Sequence, residues 1–95
     1  MGFRRKAKVD KNQNEIVQAL RKAGASVLIT SQLKNCFDIL VGFQGVNYIV
    51  AIKDGDLPPS QKKLSEGELN FKDNWRGGQY HVIESVEEAL KMINQ

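Results

Sequence analysis

Phe37-Asp38-Ile39-Leu40-Val41-Gly42, a short turn, and Val46-Asn47-Tyr48-Ile49-Val50-Ala51-Ile52-Lys53 form the stretch from which the rest of the chain is read. Both runs are apolar and β-prone, and each is bounded by turn residues, so together they predict a hairpin. Gln44-Gly45 supplies the turn, because glycine tolerates positive φ. In the second run side chains alternate between faces, which places Ala51 and Lys53 on the same side. Asp38 faces opposite to Phe37 and Ile39. A carboxylate and an ammonium inside apolar strands cost free energy to desolvate, so their presence asks for a chemical reason.

Upstream, Asp10 with Gln13 suits a capping box, and Ile16, Val17, Leu20 and Ala23 recur at helical spacing before Gly24. A first helix is expected over residues 11–23, with Ile16, Leu20 and Ala23 facing the core. Glu15 neighbours that stripe, and by itself reads as an exposed helix carboxylate. Residues 25–30 read as a strand with Val27 and Ile29 on one face and Leu28 on the other. Apolar residues on both faces predict a strand covered on both sides.

Downstream, Asp54-Gly55-Asp56 and Pro58-Pro59 end the third strand. Ser65 with Glu68 is a second capping-box pattern. Leu64, Phe71 and Trp75 share one helical face, which predicts a helix over residues 67–75 that stops at Gly77-Gly78. Phe71 and Trp75 could stack on unpaired bases, but their spacing favours packing in the core. Tyr80 to Ile83 is a short strand. Ser85 with Glu88 opens a last helix whose Val86, Ala89, Leu90 and Ile93 form the buried stripe. The expected order is αβββαβα: a mixed four-stranded sheet flanked by helices.

The chain has 95 residues, enough for one domain over 1–95 with one core. No apolar run reaches the roughly 20 residues that cross a bilayer. The single cysteine, Cys36, has no internal disulfide partner, which fits a reducing cytoplasm. A net charge of +3 permits nucleic-acid binding without demanding it. Residues 1–10 form a basic arm in which Arg4, Arg5, Lys6 and Lys8 suit a polyanion, or simply a solvated terminus.

Asp38, a hairpin turn and Lys53 at a strand end resemble the motif of the PD-(D/E)xK nucleases. Residues 12–94 as a whole resemble the small phage VRR-NUC and Holliday-junction-resolvase-like members of that superfamily. Val41-Gly42, Lys53-Asp54-Gly55, Pro58-Pro59-Ser60-Gln61-Lys62-Lys63-Leu64 and Trp75 carry the similarity. Phe37 stands where the family usually has proline. Ala51 stands where it has a metal-binding Glu or Asp. Retention of Asp38, Lys53 and Glu15 favours a single glutamate-to-alanine replacement, engineered rather than decayed.

The resemblance implies a restriction-endonuclease-like core and a Mg2+- or Mn2+-dependent DNA endonuclease, a hydrolase of structured substrates such as Holliday junctions. It implies a homodimer with two sites on opposed strands, in the host cytoplasm if phage-encoded. Asp38 and the Ile52 carbonyl would be metal ligands, with Glu15 beside them and position 51 missing its carboxylate. Lys53 would orient the attacking water and stabilise charge growing on phosphate, and Gln61 would lie near the site. With Ala51 the chain is expected to be inactive, because a methyl group cannot coordinate a cation. The alternative is an inert nucleic-acid-binding module on a nuclease scaffold; a small metabolic α/β protein is a third reading. His81, without a visible partner, reads as structural.

Overall fold

The computed structural model describes residues 11–33 and 35–95. The basic residues Arg4, Arg5, Lys6 and Lys8 and the proposed cap Asp10 lie outside them. The elements run α1 (Gln13–Lys22), β1 (Ser26–Ile29), β2 (Ile39–Phe43), β3 (Val46–Ile52), a 3-10 turn (Pro59–Gln61), α2 (Glu66–Asn74), β4 (Tyr80–Ile83) and α3 (Val86–Ile93). This is the order expected from the sequence. The four strands form one sheet in the order β1-β2-β3-β4. The first two pairings are antiparallel and β3 pairs with β4 in parallel, so the crossover through α2 makes the sheet mixed.

The hairpin forms where its sequence placed it. Phe43 pairs with Val46 across a two-residue turn. Gln44 (φ 52°) and Gly45 (φ 82°) both take the left-handed conformation that a type I′ turn needs. Alternation then sorts the strand residues onto two faces. Ile39, Val41, Tyr48, Val50, Ile52 and Ile83 point one way and pack with Ile16, Val17 and Leu20 of α1 and Ala89, Met92 and Ile93 of α3. All of these are buried. Tyr48 is thus an interior residue whose ring meets His81.

The opposite face carries Leu28, Leu40, Ile49 and Tyr80 in one cross-strand row, with Ala51 beside Val82. Among the described residues α2 alone lies over this side, through Phe71 against Phe37 at 5.5 Å and Tyr80 at 6.2 Å between ring centroids. Leu28 is consequently 60% exposed and Val82 41% exposed. The expectation that β1 is covered on both sides fails. It is an edge strand, with Ile29 also half exposed, and the Arg21 guanidinium donates to its Val27 carbonyl at 3.1 Å.

Helix ends differ from the sequence reading in informative ways. The N-cap of α1 is Asn12, and its side chain makes no cap hydrogen bond. It donates instead to the Lys53 carbonyl (3.0 Å) and the Glu84 carbonyl (2.8 Å), tying α1 to the ends of β3 and β4. Ala23 follows α1 and is exposed rather than in the core. Ser65 and Glu68 do form a reciprocal capping box. At α3 only half the pattern forms: Ser85 accepts from the Glu88 N–H, while Glu88 turns to the Glu84 N–H at 2.6 Å. Trp75 is not a core residue; it sits at the end of α2 and is 46% exposed.

Candidate functional site

Asp38 enters the sheet one residue ahead of β2. Its N–H donates to the Val50 carbonyl at 2.9 Å, and its own carbonyl accepts from the Thr30 N–H at 2.8 Å. Its Oδ2 accepts from the Ile52 N–H at 2.6 Å. Such a short bond to a carboxylate is charge-assisted and stronger than a neutral one. The two links to β3 straddle Ala51, whose methyl group is fully buried. One strand residue further on, Lys53 extends the parallel pairing by donating its N–H to the Ile83 carbonyl at 2.9 Å.

The Lys53 ammonium meets Glu68 Oε1 at 3.0 Å, and both side chains are only 15% exposed. The same Oε1 accepts the Ser65 N–H at 2.8 Å. One carboxylate oxygen therefore closes the capping box of α2 and neutralises Lys53. An ion pair this sheltered stabilises little in net terms, but removing one partner strands the other charge. Tyr80 completes the cluster, its hydroxyl donating to the Cys36 carbonyl at 3.0 Å. Burial, then the charges of Glu68, Asp38 and Cys36, push the Tyr80 phenol up to about 12. Those groups therefore converge on the phenol, which stays neutral at physiological pH.

Other sequence candidates are placed elsewhere. Glu15 is exposed and lines a cleft with Lys11, Asn12, Asp54, Asp56 and Glu84, to which Asp38 contributes nothing. Lys11 reaches Asp56 at 3.3 Å and Asp54 at 3.8 Å across that cleft. Gln61 is exposed at the end of the 3-10 turn. The Ile52 side chain is core. His81, on the core face, lies 3.1 Å from the Gln79 side chain through Nε2, and burial lowers its pKa, as suits a structural histidine. Cys36 is half-buried, with its thiol against the Leu33 and Phe37 carbonyls.

Glu68 and Tyr80 were missed as members of the site, and the buried Gln13 on α1 was not singled out. The Ser65-x-x-Glu68 signature was the available clue, since a glutamate at the third helical position reaches back toward the helix start. Gln13 is 6% exposed; its amide nitrogen donates to the Ser31 hydroxyl at 3.3 Å, and its Oε1 has no hydrogen-bond partner. Nothing in the sequence separated it from the polar residues around it.

These donors do not amount to a magnesium centre. Mg2+ takes oxygen ligands in near-octahedral order, commonly one or two carboxylates with water. Here one aspartate oxygen already holds a backbone N–H, position 51 offers a methyl group, and Lys53 is paired with the nearest added carboxylate. Among the described residues no three His, Cys, Asp or Glu side chains are grouped to hold a metal ion.

A mixed four-stranded sheet with α1 and α3 on one face and α2 on the other is a restriction-endonuclease-like architecture. The fold is that of VRR-NUC domains: a solved structure described as a VRR_NUC domain superposes with a TM-score of 0.61 at 20% identity, over 88% of this chain and 96% of that one. No family model matches the sequence, and no curated protein matches it. Among the described residues no helix is long and apolar enough to cross a membrane.

Proposed function

We propose that this domain is a DNA-binding scaffold of the structure-selective endonuclease type, and that with alanine at position 51 it holds branched or double-stranded DNA without cutting it. The observation that carries this reading is the Asp38–Ala51–Lys53 arrangement. An aspartate just before β2 and a lysine just after β3 flank a buried methyl group at the place where the resemblance puts a metal-binding carboxylate. A divalent ion, where such a site is complete, acts as a Lewis acid on the phosphate and lowers the pKa of its water. This chain's own residues do something narrower. Lys53 offers a cation to a backbone phosphate once it leaves Glu68. Asp38 keeps the start of β2 locked to β3, and neutral Tyr80 closes the floor of the site. A two-fold dimer would present two such sites to opposed strands of a junction.

The second reading, an enzyme disabled by one replacement, is favoured by the presence of Asp38 and Lys53 at the ends of β2 and β3. Both are tested by incubating the unaltered chain and Ala51→Glu with a four-way junction in Mg2+ or Mn2+. Cutting by Ala51→Glu alone establishes an enzyme scaffold that lost a ligand. Salt-sensitive junction binding by both, with no cutting by either, establishes a binding module. Absence of DNA binding in both removes the proposal.

A further inference from the structure

Beyond Glu68, the far end of α2 carries an aromatic surface that the fold leaves open. Trp75 is the only tryptophan of the chain. Its ring stacks on Phe71 with centroids 5.1 Å apart and planes inclined by 19°, so one indole face is covered while the residue remains 46% exposed. Phe71 is braced in turn by Phe37 and Tyr80. Gly77 closes against the indole edge, where any Cβ would strike Nε1. The ring is thus the outermost member of a supported stack, presenting a fixed flat face.

Cations accompany it. Lys72 and Arg76 are both exposed, one helical turn before Trp75 and directly after it. Asp73 falls on the other side of the helix by its spacing. Glu68, Phe71 and Trp75 recur at i, i+3 and i+7, on one side of α2. At about 1.5 Å rise per residue, Trp75 lies roughly 10 Å along the axis from the Lys53–Glu68 pair. An aromatic face flanked by cations matches a base with its neighbouring phosphates, and every base has a π-face. In a duplex those faces are buried in the stack, so the fitting ligand is unpaired.

We propose that Trp75 is a stacking platform for an unpaired nucleobase, with Lys72 and Arg76 taking the adjacent phosphates. The proposal rests on the DNA-binding reading above and adds that the bound DNA has a single-stranded or splayed segment lying along α2.

Because Trp75 is the sole tryptophan, intrinsic fluorescence reports on this ring alone. Titration with oligothymidylate is expected to quench it saturably, less so as salt rises, and a blunt duplex of equal length is expected to quench it far less. Trp75→Ala is expected to weaken binding of a dye-labelled oligothymidylate roughly tenfold, with Trp75→Phe retaining most of the affinity. The quenching experiment uses the unaltered chain, so it tests the proposal even if Trp75→Ala unfolds. Undiminished binding by a folded Trp75→Ala overturns the platform and leaves the DNA-binding reading standing. Failure of every oligonucleotide and junction to bind overturns both. Fluorescence that changes only with protein concentration assigns the ring to a contact between copies of the chain and also overturns the proposal.

Discussion

The two faces of the sheet are built from similar strand residues but are held together differently. On one side Ile39, Val41, Val50 and Ile52 meet α1 and α3 in a continuous apolar core. On the other, α2 contains no buried residue and, among the described residues, is held by the ring contacts of Phe71 with Phe37 and Tyr80 and by the Lys53–Glu68 ion pair. Burial of apolar area stabilises the first face and requires no particular partner atom. The second depends on a few directional contacts, and these are the ones that place charge beside Ala51. Stability is concentrated on one face and candidate chemistry on the other.

The largest expected effect tests the core side. Leu20 is fully buried between helix and sheet. Leu20→Ala should lower unfolding free energy by about 2–5 kcal/mol in denaturant melts, through lost transfer energy and the cavity left behind. A change below about 1 kcal/mol would mean that α1 is not the principal cover of this face.

A smaller effect is expected at the site. Glu68→Ala removes the cap partner of Ser65 and leaves Lys53 sheltered without a counter-charge, at an expected cost of about 1–3 kcal/mol. Replacing the pair together, Lys53→Met with Glu68→Leu, should recover much of that loss. If the double replacement is as damaging as the single one, α2 is held by the cap and the aromatic contact instead. The comparison of faces would then need redrawing.

The subtlest effect is spectroscopic. With its phenol pushed up to about 12 from the ordinary 10.0, native Tyr80 keeps its proton while the unfolded chain begins to lose it. The native state then holds more protons, so stability should fall as pH rises from 10 to 12 and be unaffected by this group below that window. In a Tyr48→Phe background, absorbance at alkaline pH follows Tyr80 alone. Glu68→Gln should move its midpoint down, because that carboxylate is one of the charges facing the phenol. A midpoint near 10 in both chains would separate Tyr80 from the site.

Much of this protein was legible before its coordinates. The hairpin, the element order and the mixed sheet follow from apolar runs, turn residues and helical spacing, which are properties of neighbours along the chain. The placing of Asp38 beside the end of β3 was legible for the same reason, since hairpin register sets it across from Ala51 and its Oδ2 accepts the Ile52 N–H. Trp75 shows where that logic stops. Its spacing with Phe71 correctly assigned a helix face, but whether that face is covered depends on how far α2 extends over the sheet. Likewise β1 has the composition of a buried strand, and only the strand order made it an edge.

Sequence alone determined the strands, the helices and the methyl group at position 51, because those are written in local pattern and residue identity. Tertiary structure alone decided that Glu68 rather than Glu15 stands at Lys53. The two glutamates sit on helices packed against opposite faces of one sheet, and their distances to a given strand end are set by helix docking, which no local pattern encodes.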